Sequence, residues 1–120
     1  MTTSLPLTCT WTVRGERTGT LVVTGDLDYV QADQMNQVLA DGLAAHPGME
    51  AVHLDCSGIE FCDSYGLSAL LVARRAATAA GVRLHLDAIR PRLEHLLRLT
   101  GAFDYLISDD PPQRAEHLDT

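Results

Sequence analysis

The chain has 120 residues, of which 46% are hydrophobic, and its formal net charge at pH 7 is −7. This length and composition predict a single globular domain over residues 1–120, large enough to bury a core without metal ions or disulfides. All nine basic residues are arginine. An acidic chain without a basic cluster argues against binding to nucleic acid or to an anionic membrane.

The cysteines and the start of the chain indicate a compartment. The three cysteines show no Cys-x-x-Cys spacing, which predicts free thiols in a reducing environment. The first residues lack the basic start and apolar run of a signal peptide, and no apolar stretch reaches the ~20 residues of a membrane span. We therefore expect a cytoplasmic protein.

The first part of the chain predicts a β-hairpin followed by a helix. Apolar residues alternate with threonines over residues 7–13, which is the period of a strand with one buried face. Residues 20–24 predict the second strand, after a turn that contains glycine. Asp28 and Gln31 have the spacing of a capping box and predict a helix over Tyr29–Ala45.

The second part predicts alternating strands and helices. Strands are expected over residues 51–56 and 82–86, and a helix over about 64–80 lies between them. Pro91 suits the first turn of a third helix, and Phe103–Ile107 predicts a last strand.

The order of the elements predicts the fold class. A hairpin followed by strand–helix alternation predicts a mixed, mostly parallel sheet with right-handed crossovers. The two later strands alternate apolar and polar residues, whereas strands covered on both faces read as continuous apolar runs. We therefore expect a two-layer α/β fold with an N-terminal hairpin and helices mainly on one face. Its core should span about residues 7–108, and the polar tail, residues 109–120, has room for one short helix.

A candidate site lies where the third strand gives way to the second helix. Asp63 and Ser64 both suit the N-cap position, because a short side-chain oxygen can accept a bond from a free N–H group of the first turn. A hydroxyl at this position lies at the positive end of the helix dipole, which also suits a phosphate. Gly66 allows close packing. The local sequence leaves open whether Ser64 is a helix cap or a functional hydroxyl.

Other reactive side chains have weaker patterns. The sequence contains no nucleophilic triad, phosphate-binding glycine loop or metal-spaced His/Cys cluster, so we expect no cofactor. His53 and His85 become neighbours if their strands pair, as solvated imidazoles or, alternatively, as a weak metal site. Cys62 is either a buried thiol or, near a helix N-terminus, a redox thiol with a lowered pKa. A small enzyme that uses Cys62 or Ser64 as nucleophile is a further alternative.

Three blocks of sequence resemble a known family. They are Gly-Asp-Leu-Asp at residues 25–28, Phe-Cys-Asp-Ser-Tyr-Gly-Leu at 61–67 and Leu-Leu-Arg-Leu-Thr-Gly at 96–101. Together they resemble the STAS domain and, more narrowly, the stand-alone anti-sigma-factor antagonists of bacteria. Tyr65 departs from the pattern, because many members have a second small hydroxyl residue there.

The resemblance implies a switch at Ser64. In that family this serine is phosphorylated by a partner that is both an anti-sigma factor and a serine kinase. The unphosphorylated antagonist binds the anti-sigma factor and frees a sigma factor. Phosphorylation abolishes this binding, and a PP2C-type phosphatase restores it. The alternative is a STAS-type binding or scaffold module, for a small ligand or a signalling complex, in which Ser64 is mainly a helix cap. The oligomeric state is left open.

Asp28 is the second candidate residue. We favour it as the N-cap of the first helix. The functional alternative places it beside Ser64, because the carboxyl ends of parallel strands meet at one edge of the sheet. It would there orient the hydroxyl for the kinase or touch the partner. The predicted partner-binding residues are Asp26, Asp28, Tyr29, Phe61, Asp63, Ser64, Tyr65 and Gly66.

Overall fold

The computed structural model of the chain describes residues 5–107. The strands are β1 (Thr8–Arg14), β2 (Thr18–Leu27), β3 (Ala51–Cys62) and β4 (Arg83–Asp87). The helices are α1 (Ala32–Ala45), α2 (Ser64–Ala79), α3 (Pro91–Leu99) and α4 (Phe103–Ile107). The predicted tail, residues 109–120, lies outside the described residues. None of these helices, within residues 5–107, is long and apolar enough to cross a lipid bilayer.

The four strands form one sheet in the order β1-β2-β3-β4. The pair β1–β2 is antiparallel, and the pairs β2–β3 and β3–β4 are parallel. In β3, Val52 and Leu54 are buried, whereas His53 and Asp55 between them are only half-buried. Helices α1 and α2 pack on the buried face. The predicted α/β fold with an N-terminal hairpin and one open sheet face is confirmed.

Strands β2 and β3 are longer than predicted. Ser57 and Gly58 have the composition of a turn, but β3 continues through them to Cys62. The parallel pairing of β2 with β3 changes register after Val22 and again before Asp26. These irregularities accommodate unpaired residues in the ladder, so neither strand ends there. Both strands therefore reach the same edge of the sheet and end side by side.

Helix α1 begins at Ala32, three residues later than predicted. Gln31 occupies the N-cap position without a side-chain cap, and its side-chain amide instead binds the N-terminal segment. Its Oε1 accepts from the Leu7 N–H at 2.9 Å, and its Nε2 donates to the Leu5 carbonyl at 3.1 Å. The predicted capping box, with Asp28 as N-cap of α1, is therefore wrong, because a tertiary contact competes for Gln31.

The prediction of a last strand over Phe103–Ile107 is also wrong, because this segment forms α4. Gly101 ends α3 with a φ of 78°, and the Leu106 N–H then donates to the Ala102 carbonyl at 3.0 Å. Ala102 and Leu106 are both buried, one helical turn apart. A short apolar run is compatible with the period of a helix and with that of a strand, so only its packing decides between the two.

Candidate functional site

The ends of β2 and β3 lie next to each other, since Leu27 and Cys62 are paired residues of the parallel ladder. The Asp63 N–H donates to the Leu27 carbonyl at 3.3 Å, and the Tyr29 N–H donates to Asp63 Oδ2 at 3.1 Å. A Cβ atom on Gly66 would collide with the Leu27 carbonyl oxygen. The close packing predicted at Gly66 is confirmed, and the loop after β2 is bound directly to the start of α2.

Asp63 is the N-cap of α2. Its Oδ1 accepts from the Gly66 N–H at 2.9 Å, and its Oδ2 is occupied by the Tyr29 N–H. Ser64 is therefore the first helical residue and is exposed, and no hydrogen bond holds its hydroxyl within residues 5–107. Of the two residues that suit the cap, Asp63 is the one used. The Ser64 hydroxyl is left available at the positive end of the helix.

Two exposed tyrosines lie beside Ser64. Tyr29 is 70% exposed and Tyr65 is 64% exposed, and their ring centroids are 5.8 Å apart. From these rings a groove of about 620 Å³ runs between α1 and α2, past Asp33 and Val72. Large aromatic side chains on a surface are typical of protein-binding sites. Sequence reasoning named both tyrosines but not the groove.

Asp28 lies underneath this surface rather than on it. It is 6% exposed, and its Oδ1 accepts from the Val30 and Gln31 N–H groups, both at 3.2 Å. These bonds hold the turn that carries Tyr29. Asp28 is therefore placed in the junction next to Asp63, where its carboxylate shapes the turn.

The remaining two predicted residues lie apart from the tyrosine pair. Asp26 is half-buried, and its Oδ2 accepts from the Leu5 N–H at 3.0 Å. Phe61 is 47% exposed and lines a different cleft, against α3. The structure thus brings five of the predicted residues together around Ser64, which are Asp28, Tyr29, Asp63, Tyr65 and Gly66.

Cys62 does not have the lowered pKa that a redox or nucleophilic thiol needs. Burial, and then the neighbouring Asp63 charge, raise the pKa of Cys62 to about 12. Its Sγ lies 3.6 Å from the Asp63 carbonyl oxygen, to which it donates. The alternative of a lowered pKa at Cys62 is therefore wrong. Both causes act in the same direction, because burial and a nearby negative charge each disfavour the thiolate.

The predicted proximity of His53 and His85 on the open sheet face is confirmed. The rings of His53 and His85 stack with centroids 4.8 Å apart, and His53 Nδ1 lies 2.9 Å from Asp87 Oδ2. In the part of the chain that the structure describes, no group of three or more His, Cys, Asp or Glu side chains is arranged to hold a metal ion. The alternative of a metal site at this pair therefore lacks a third ligand there.

The sequence matches the family described as "Mlab, STAS domain" over residues 12–108. The chain therefore belongs to the STAS domain family. No curated protein matches it.

Several solved structures share the fold. SpoIIAA, an anti-sigma factor antagonist, is 16% identical in its unphosphorylated form, with a TM-score of 0.68 over 93% of this chain and 96% of that one. The phosphorylated form of the Bacillus protein gives a TM-score of 0.64 at 16% identity, over 94% of this chain and 100% of that chain. An anti-sigma factor antagonist from Mycobacterium paratuberculosis is 22% identical, with a TM-score of 0.70 over 95% and 93% of the two chains.

The same fold also occurs within a much larger protein. The murine anion transporter Slc26a9 gives a TM-score of 0.68 at 20% identity, over 77% of this chain but only 15% of the transporter. At these identities the likeness establishes the fold, and a shared fold supports more than one function.

Proposed function

We propose that this chain is an anti-sigma-factor antagonist that is controlled by phosphorylation of Ser64. When unphosphorylated, it binds an anti-sigma factor that is also a serine kinase, and a sigma factor is released. Phosphorylation of Ser64 ends this binding, and a PP2C-type phosphatase restores it. The chain acts as a cytoplasmic binding protein in transcription regulation and is not an enzyme. The observation that carries the proposal is the exposed Ser64 hydroxyl, freed because Asp63 caps α2.

The fold should tolerate a phosphate at Ser64. The modification adds about −1.5 to −2 charges near neutral pH. Ser64 begins α2, whose first turn contains no acidic side chain, so the helix dipole favours the added charge. Repulsion from Asp63 opposes this effect. The two contributions offset each other, and we expect little change in stability.

The effect of the phosphate should instead be felt by the partner. Tyr65 directly follows Ser64 in α2, and the Tyr29 N–H is bonded to Asp63 just before it. A protein that covers these two exposed rings therefore also lies against the serine. A dianion buried there without a matching cation costs several kcal/mol, and each ~1.4 kcal/mol is a tenfold loss of affinity. This is enough for a switch without any change of fold.

Phosphate mapping is the first test. We would isolate the chain from its own cells and measure its intact mass, its modified peptides and the proteins that co-purify. We expect one phosphate on Ser64 and a kinase-like partner bound only to the unmodified form. Ser64→Ala should abolish the modification, whereas Ser68→Ala, at the next exposed serine of α2, should leave it.

The stability of a charged variant is the second test. Ser64→Asp should stay within about 0.5 kcal/mol of the wild type in urea unfolding, because an acidic residue suits the first helical turn. Binding to the partner should nevertheless be lost. If Ser64→Asp unfolds the chain, the serine has a structural role and the switch is refuted.

The presence of the same fold in Slc26a9 favours one alternative, a constitutive STAS-type binding or scaffold module. This alternative predicts no phosphate under any growth condition, with a partner or a small ligand still bound. Self-association, or a ligand that raises the melting temperature, would support it.

A further inference from the structure

A second cleft lies between the end of β3 and α3, on a part of the surface that the proposed switch does not use. Its volume is about 500 Å³. We call it the β3–α3 cleft; its lining comes from residues 59–62 of β3 and from residues 90–99, and includes Ile59, Phe61, Arg92, His95, Leu96 and Leu99. Its volume falls within the range of roughly 300–1,000 Å³ that is typical of small-molecule sites.

The cleft presents apolar surface to solvent. Leu99 is 71% exposed and Phe61 is 47% exposed, although large apolar side chains usually gain by burial. Leu96, also in the lining, is half-buried. A single exposed apolar residue needs no explanation, but two that border the same cleft form a patch suited to a ligand.

The charged residues of the cleft leave a positive surplus. The Arg90 guanidinium lies 3.5 Å from the carboxylate of Glu60, the one carboxylate in the lining, and balances its charge. The side chains of Arg92 and His95 make no ion pair or side-chain hydrogen bond with any residue in the range 5–107. Arg90 is the N-cap of α3, and no side chain caps the first turn of this helix. An acidic chain of net charge −7 thus has a local site suited to an anion.

We propose that the β3–α3 cleft binds a small amphiphilic anion, namely a free carboxylic acid with an apolar chain. The apolar chain lies against Phe61, Leu96 and Leu99. The carboxylate meets Arg92 and His95, and a guanidinium is well suited to bind it in a bidentate manner. The proposal is independent of the switch at Ser64, although Phe61 and Cys62 in the lining directly precede Asp63.

The test uses decanoate as the probe and decanol as its uncharged match. Each is titrated, below its micelle or solubility limit, into the full chain by calorimetry and by amide NMR. Decanoate should bind saturably, with the largest shifts over residues 59–62 and 90–99. Decanol should bind at least tenfold more weakly, because the charge-assisted contact is missing.

Two variants with matched controls locate the site. Arg92→Gln should weaken decanoate binding about tenfold, whereas Arg75→Gln, at an exposed arginine of α2, should leave it unchanged. Leu99→Ser should weaken it about fivefold, whereas Val13→Thr, at an exposed position of β1, should not. Circular dichroism would verify that each variant is folded.

Four results would overturn the proposal. They are an absence of saturable decanoate binding, equal affinity for decanol, shifts centred on the groove between α1 and α2, and equal effects of Arg92→Gln and Arg75→Gln. None of them depends on whether Ser64 is phosphorylated, so the switch is tested separately.

Discussion

Two junctions between a strand and a helix follow the parallel strands β2 and β3, and both begin with an aspartate. After β3, Asp63 caps α2 directly, and the next residue, Ser64, is helical and exposed. After β2, Asp28 is buried and holds a turn, so that α1 begins only at Ala32. The same residue type starts a helix at one junction and delays it at the other.

The difference comes from what surrounds each carboxylate. Asp63 reaches the Gly66 N–H of its own helix and the Tyr29 N–H of the other junction. At the first junction, Gln31 is bound to the N-terminal segment, which holds this residue outside the regular helix. The first junction therefore presents an aromatic ring and the second a hydroxyl, on one continuous surface. Three predictions test how far the two junctions depend on each other.

The largest expected effect concerns Cys62, the last residue of β3. With its pKa raised from 9.0 to about 12, its thiolate at pH 8 should be roughly a thousandfold rarer than that of an ordinary thiol. We expect iodoacetamide to modify Cys62 about a thousandfold more slowly in the folded chain than in urea, as measured by peptide mass spectrometry. The folded-state rate should rise about tenfold per pH unit, since the folded pKa lies above this range. Rapid modification at pH 8 would show that the second junction is open to solvent.

The next effect tests the contact between the junctions. Gly66→Ala places a Cβ atom against the Leu27 carbonyl oxygen. This oxygen belongs to the backbone and cannot move aside as the end of a flexible side chain can. We expect a loss of about 3 kcal/mol in the free energy of unfolding, the upper end of the usual cost of overpacking. Ser68→Ala, at an exposed position two residues after the buried Gly66, is the control and should change stability by less than about 0.5 kcal/mol. A mild effect of Gly66→Ala would mean that the two junctions move apart easily.

The smallest expected effect distinguishes Asp63, the residue that caps α2, from its neighbour Ser64. Asp63→Ala removes the acceptor for both the Gly66 and the Tyr29 N–H groups, so we expect a loss of about 2 kcal/mol in urea unfolding. Ser64→Ala should cost less than about 0.5 kcal/mol, because no hydrogen bond within residues 5–107 holds its hydroxyl. Equal losses for the two variants would return Ser64 to the role of a helix cap.

Much of the fold could be predicted from local patterns. The alternation in β3 and β4 predicted an open sheet face, which the half-buried His53 and His85 confirm. The segment Phe103–Ile107 was not predictable, because its spacing fits both a strand and a helix, and the burial of Leu106 decides. The extension of β3 through Gly58 was also missed, because a change of register with β2 leaves no local signal.

The candidate site divides in the same way. The sequence by itself determined which residues stand at the two junctions, that a helix begins at Asp63 or Ser64, and which family motif they form. Tertiary structure decided that Asp63 is the cap, that Asp28 is buried, and that Phe61 faces a separate cleft with α3. Capping preferences and periodicity act within one or two helical turns. The bonds that settle these roles, such as Tyr29 to Asp63, join residues that only the folded sheet brings together.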